Sequence, residues 1–137
     1  MLDRILNRST VLEKALDATW LRNEVISQNM ANVDTPQYKR KTVQFEEFLN
    51  SAMDQKGIKG FTTNERHIPV GKANIDKIPL RVTEDNQALN NRLDGNTVDI
   101  ENEMASLAKN YIQYNTLTQK LNGEFRKLKS VISEGRK

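Results

Sequence analysis

Cysteine is absent from this sequence. That excludes a disulfide framework and a thiolate metal site, and it leaves no mark of redox compartment. Histidine occurs once, as His67, so any histidine-containing metal site would have to be completed by carboxylates. No apolar run approaches the roughly 20 residues of a membrane span. The opening stretch, MLDRILNRSTVLEKALD, contains neither an apolar h-region nor a small-residue cleavage site, so no cleaved secretory signal is expected. A large excess of charge is also missing. The net charge is +3, and the short run Lys39-Arg40-Lys41 falls below the basic face of a nucleic-acid binder. There is no nucleophile motif and no glycine-rich phosphate loop. Asp99, Glu101 and Glu103 alternate at spacings of two, which does not gather them on one helical face. They read as helix-start electrostatics, not acid–base chemistry. No catalytic, cofactor-binding or metal-ligating residue is assigned.

The 137 residues suffice for one ordinary domain, but only 36% are hydrophobic and 6% aromatic. Leu, Ile, Val and Phe gather toward the two ends of the chain, with a polar, punctuated stretch between them. A single large globular core is not expected.

What the chain does have is a heptad seam in its last quarter. Ile100, Met104, Leu107, Tyr111, Tyr114, Thr118, Leu121, Phe125, Leu128 and Ile132 alternate at spacings of four and three, and all but Thr118 are apolar. This is the mark of a long helix that buries one narrow stripe against a partner helix. At about 1.5 Å per residue it would be roughly 50 Å long, so it needs a long partner within the chain, in neighbouring chains, or both. The opposite face carries Asn102, Ser106, Asn110, Gln113, Asn115, Thr116, Gln119 and Asn122. Amides and hydroxyls cost less to bury than charges, and interface cores are depleted in charge. This face is therefore expected to be enclosed by other subunits. Gly123 lies on it at a cost of about 1 kcal/mol relative to alanine, and is read as an inter-subunit contact.

An earlier helix is expected to start at a capping box, Thr10 to Glu13, and to run to about Asn32. Leu12, Leu16, Trp20, Ile26 and Met30 lie on its apolar side. Pro36 stops it. A short helix is expected from Val43 to about Met53. Residues 55–94 read as irregular or β-containing, with extended pieces around Ile68–Val70 and Ile78–Val82. Asn96 or Thr97 is expected to cap the last helix. The fold class is thus mainly α: long N- and C-terminal helices paired as an antiparallel coiled coil, with a small irregular or β-containing insert. The expected division is 1–35 for the N-terminal helix, 36–95 for the turn, short helix and insert, and 96–137 for the C-terminal helix.

Two stretches carry a family resemblance. Asn29, Ala31, Asn32, Thr35, Pro36 and Tyr38, within Ile26–Lys39, resemble the N-x-A-N-x-x-T-P-G-Y signature of the flagellar rod and hook axial proteins. Asp94, Gly95, Asn96, Val98 and Asp99, leading into a long helix with Tyr111 and Tyr114, are similar to the same region of a proximal-rod member. Gln37 departs from the family's usual glycine, and would be strained if the turn needs a positive φ.

The resemblance implies a structural, non-enzymatic subunit without cofactors. Such a subunit is exported by the flagellar type III apparatus without a cleaved signal and assembles in the basal body. Its expected partners are copies of itself, FlgC-like rod proteins, a FliE-like adaptor and the export apparatus, with no nucleic acid and no direct membrane insertion. A cytosolic helical adaptor or chaperone-like module is the alternative; it fits the seam and the missing signal, but not the signature at residues 29–38.

Overall fold

The computed structural model describes residues 2–54, 79–85 and 93–134. The histidine His67 and the segment Ile68–Val70 lie outside them. The elements run α1 (Leu2–Ala31), β1 (Lys41–Gln44), α2 (Glu46–Asp54), β2 (Arg81–Glu84) and α3 (Ile100–Glu134). The chain is mainly helical, and α1 and α3 pack together as the long pair. Between them sits a two-stranded antiparallel sheet in which Lys41 faces Glu84 and Val43 faces Val82. Opposed charges and paired β-branched side chains are the cross-strand neighbours that favour such a ladder.

Three element boundaries differ from the sequence expectation. The first helix does not begin at Thr10 but is continuous from Leu2. Nothing between Leu2 and Thr10 breaks a helix, since the segment has neither glycine nor proline, and a mid-helix hydroxyl can bond the preceding turn instead of capping. The expected helix from Val43 is split. Val43 lies in β1, and α2 starts only at Glu46, because Thr42 and Val43 have β-branched side chains that fit a pleated strand. The last helix is capped by Asp99, not by Asn96 or Thr97. The Asp99 carboxylate accepts from the Glu101 amide at 3.0 Å, and the Asp99 carbonyl accepts the first intrahelical bond from Glu103. This is N-cap geometry.

The seam is the larger correction. The sequence reading pairs the stripe of α3 with the N-terminal helix, yet in the single chain Ile100, Met104, Tyr111, Tyr114, Phe125 and Ile132 are all exposed. Trp20 of α1 is 66% exposed. The residues of α3 that are buried are Glu103 and Asn110, flanked by the half-buried Ser106, Leu107, Gln113 and Leu117. Part of the amide-rich face is therefore enclosed by the chain's own α1 and not by other subunits. The buried stripe keeps the heptad spacing, through Glu103, Asn110 and the half-buried Leu117, but lies one position before the seam, which comes nearest to burial at the half-buried Leu107, Thr118, Leu121 and Leu128.

The apolar core is small. Ala18 of α1 and Phe45 at the start of α2 are its buried centre, with Ala15, Phe48, Leu49 and Leu80 packed around them. Val25, Ile26, Val43 and Val98 are also buried. Phe45 is 3% exposed and joins the helix pair to the insert. Replacing it with alanine removes the largest apolar side chain at that point, so Phe45→Ala is expected to cost about 3–5 kcal/mol. Urea denaturation of the purified chain, followed by circular dichroism, measures this. A loss below about 1 kcal/mol would mean that the insert does not brace the helices.

Candidate functional site

The two halves of the family-like signature meet at one hydrogen-bonded junction where α1 ends. A helix leaves its last carbonyls without partners, and here the chain must satisfy them while reversing direction. Asn96 does so from the other end of the sequence. Its side-chain amide lies 3.0 Å from the Asn32 carbonyl, 2.9 Å from that of Val33 and 2.9 Å from that of Thr35. The amide's two protons are shared among three acceptors. Its side-chain oxygen accepts from the Val98 amide, and its own amide donates to the Asp94 carboxylate. Asn96 is 1% exposed, so every one of these bonds replaces one to water.

Asn29 acts on the following segment. Its side-chain oxygen accepts from the Lys41 amide at 3.0 Å, and its NH2 donates to the Lys41 carbonyl at 2.8 Å. One side chain thereby takes the place of a neighbouring strand at the start of β1. Tyr38 donates its hydroxyl to the Asn29 side-chain oxygen at 3.4 Å. Between these two asparagines, Gln37 donates its amide to the Asp94 carbonyl, and the Thr97 amide donates to the Tyr38 carbonyl. Thr97 also accepts from the Arg40 amide. Thr35 donates its hydroxyl to Asn32. Pro36 is exposed, and its fixed φ suits the turn that ends the helix. Ala31 is an exposed last helical residue.

Gln37 occupies the position where the signature usually has glycine, and its φ is 61°. The turn therefore does require the left-handed region, which costs a non-glycine residue roughly 1 kcal/mol. Gly95, packed close to Gln37, has φ 73°, and here glycine meets the demand without cost.

Residues outside the signature complete the junction. Glu103 is fully buried. One of its oxygens accepts from the Asn29 NH2 and the other from the Arg40 guanidinium. Arg40 also pairs with Asp85, next to β2, at 3.0 Å. Burial by itself would lower the pKa of Arg40, but the hydrogen bonds and charges of Glu103 and Asp85 outweigh it and raise it further. Arg40 thus stays charged, as its buried partner requires. The sequence reading counted Arg40 as part of a basic run and Glu103 as helix-start charge. No local signal linked them, since they are 63 positions apart.

Farther along the helix pair, Asn110 donates to the Thr19 carbonyl at 2.9 Å, and Arg22 reaches both Gln113 of α3 and Glu46 of α2. A polar ladder therefore runs between α1 and α3. The buried side-chain oxygen of Asn110 has no hydrogen-bond partner among the described residues. Gly123 lies outside this ladder, and a Cβ built there would meet nothing within 4 Å. Among the described residues no group of three or more His, Asp or Glu is placed to hold a metal ion, and no helix is long and apolar enough to cross a membrane. The geometry is that of a structural joint.

No family model matches the chain. Individual proteins do resemble it along most of its length. The flagellar basal body rod protein FlgB of Bacillus subtilis (strain 168) is 34% identical over 125 residues, which cover 91% of this chain and 92% of the relative. Its namesake in Yersinia enterocolitica is 30% identical over 140 aligned positions, covering 98% and 100%. That of Escherichia coli (strain K12) is 30% identical over 140, covering 98% and 99%.

The junction predicts how two of its residues respond to substitution. Asn96→Ala removes a buried side-chain amide that holds three carbonyls at the helix end and is expected to cost about 1–3 kcal/mol. Asn96→Asp should be no milder, because it sets an acceptor against acceptors. Gln37→Gly should be neutral or stabilise by up to about 1 kcal/mol, as relief of the left-handed strain competes with a more flexible unfolded chain. Denaturant midpoints of the purified variants give all three values. A silent Asn96→Asp would show that its amide does not hold the helix end.

Proposed function

The chain belongs to the family of the flagellar basal body rod protein FlgB, and from that membership we propose how its parts serve a structural subunit of the proximal rod. The observation that carries the reading is the likeness to rod proteins over nearly the whole chain. The adaptor or chaperone-like alternative does not account for that likeness. The chain is a structural component of the bacterial flagellum that acts in motility, and the flagellar basal body is where it belongs.

In this reading the segments 1–35 and 96–137 supply the helical core of the assembly and 36–95 faces outward. The signature residues from Asn29 to Tyr38 and from Asp94 to Asp99 act as the joint that fixes how the insert leaves the helices. Their hydrogen bonds satisfy the helix end and turn the chain, which a subunit needs if its outer part is to hold one angle in every copy. The neighbours are other copies of the chain, FlgC-like rod proteins and a FliE-like adaptor. The subunit reaches them through the flagellar type III export apparatus without loss of a signal peptide. The seam of α3 is the surface offered to neighbours, since most of its apolar side chains are exposed in the single chain. Its role is structural, with no catalytic step assigned.

Gly123 is the sharpest point of contact in this proposal. The chain's own described atoms leave the space beside it open, so a neighbouring helix can approach closely there. Fractionation tests the assignment as a whole: the chain should be present in detergent-purified basal bodies, and recovery only from soluble cytosol would sink it. Gly123→Leu tests the contact. Helicity should be equal or higher, since glycine is a poor helix former, while rod assembly and swimming should fail because an overpacked interface relaxes poorly. Normal swimming of a strain that exports the variant would show that Gly123 faces solvent.

A further inference from the structure

A side-chain amide can be lost to attack by the backbone nitrogen of the next residue. Glycine at that next position favours the attack, because it has no Cβ to obstruct its own nitrogen. In this sequence Asn122 is the one asparagine that precedes a glycine. It stands on α3, exposed, and its side chain makes no hydrogen bond among the described residues. A Cβ built on Gly123 would meet nothing within 4 Å, so no described part of the chain covers the pair.

The backbone is what restrains it. The reaction needs the Gly123 nitrogen to swing onto Cγ of Asn122. In an α-helix that nitrogen donates to the carbonyl four residues back, here that of Gln119, and helical dihedrals hold it away from the Asn122 side chain. The pair also lies inside α3, about three turns before Glu134, beyond the one or two residues that fray at a helix end.

We propose that Asn122–Gly123 is a self-modifying deamidation site that α3 keeps silent, so that a chain left unfolded converts there and a folded one is protected. The Gly123 nitrogen gives its proton to hydroxide and attacks Cγ of Asn122. A bond forms between that nitrogen and Cγ, the bond from Cγ to Nδ2 breaks, and Nδ2 takes a proton from water and leaves as ammonia. A five-membered succinimide remains. Water adds to one of its two carbonyls and opens it to aspartate or isoaspartate. Either product removes one unit from the net charge of +3. Isoaspartate also adds one atom to the main chain, which breaks the register of the helical hydrogen bonds. Residues 124–134 would then have to be helical by themselves, and helices shorter than about 12–15 residues are marginal in water. Phe125, Leu128 and Ile132 lie in that segment, so the end of the seam is lost with it. The site goes beyond the rod-subunit reading and holds without it.

The purified chain is incubated folded in buffer and unfolded in urea, at one temperature and one mildly alkaline pH. Peptide mass spectrometry locates the conversion, and isoaspartyl methyltransferase measures isoaspartate. In urea, Asn122 should convert ahead of every other asparagine, mainly to isoaspartate. In the folded chain its rate should fall at least about tenfold, the ratio set by a helix opening that costs about 1.4 kcal/mol. Gly123→Ala puts a methyl group into open space and leaves the fold in place, yet it should lose most of the conversion in urea. Equal rates in the two states overturn the proposal. So does an Asn122 no faster in urea than the other asparagines, or a Gly123→Ala chain that converts as fast as the parent. The converted chain, returned to buffer, should show less helix by circular dichroism than the unconverted one, and equal helix would overturn the break in α3.

Discussion

A helix must find partners for its last carbonyls, and in this chain that constraint shapes the described junction between α1 and α3. The buried side chain of Asn96 reaches the end of α1 from more than 60 residues away in sequence. That single side chain fixes where the polypeptide returns and therefore where α3 starts. Asn29 extends the same logic by one step. It serves as a one-residue strand for Lys41, which sets the position of β1 and through it β2. Each asparagine offers a donor pair and an acceptor on one short stem, so it can match a backbone amide and carbonyl together. Aspartate or leucine of similar size cannot.

The described interior holds as many polar residues as apolar ones. Among the described residues, the buried polar set of Ser9, Thr19, Asn29, Asn96, Glu103 and Asn110 equals the buried apolar set in number. The hydrophobic term grows with apolar area removed from water, so a core of this kind gives limited stability to a lone chain. What it gives is a defined register. The Arg40–Glu103 pair illustrates the trade. Burying both groups costs desolvation that their attraction only partly recovers, but an unpaired Glu103 would cost much more. Any other register of α3 against α1 would separate Glu103 from Asn29.

This division of labour leaves the most apolar stripe of the molecule facing outward. An isolated soluble protein rarely displays Trp, Met, Tyr and Phe in one line. The polar ladder fixes the subunit internally, and in the proposed function the apolar stripe is the surface left for contacts between subunits.

The helices, the polar insert and the family signature were legible from the sequence because each is local: periodicity, a proline after a helix, and motif residues at fixed spacings. Even the strain at Gln37 followed from one residue standing where glycine is usual, once its φ was known. The face on which α3 meets α1 was not legible. Residue type alone assigned the apolar stripe to the interior and the amides to the outside, and the fold does the reverse for Asn110 and Glu103. The start of α1, the split between β1 and α2, and the cap at Asp99 also depended on competition among local options. The sequence by itself determined the class of protein, its long helices and its two motifs. Only the tertiary structure decided which polar groups pair and which apolar groups stay exposed, because both depend on contacts between residues 63 to 91 positions apart.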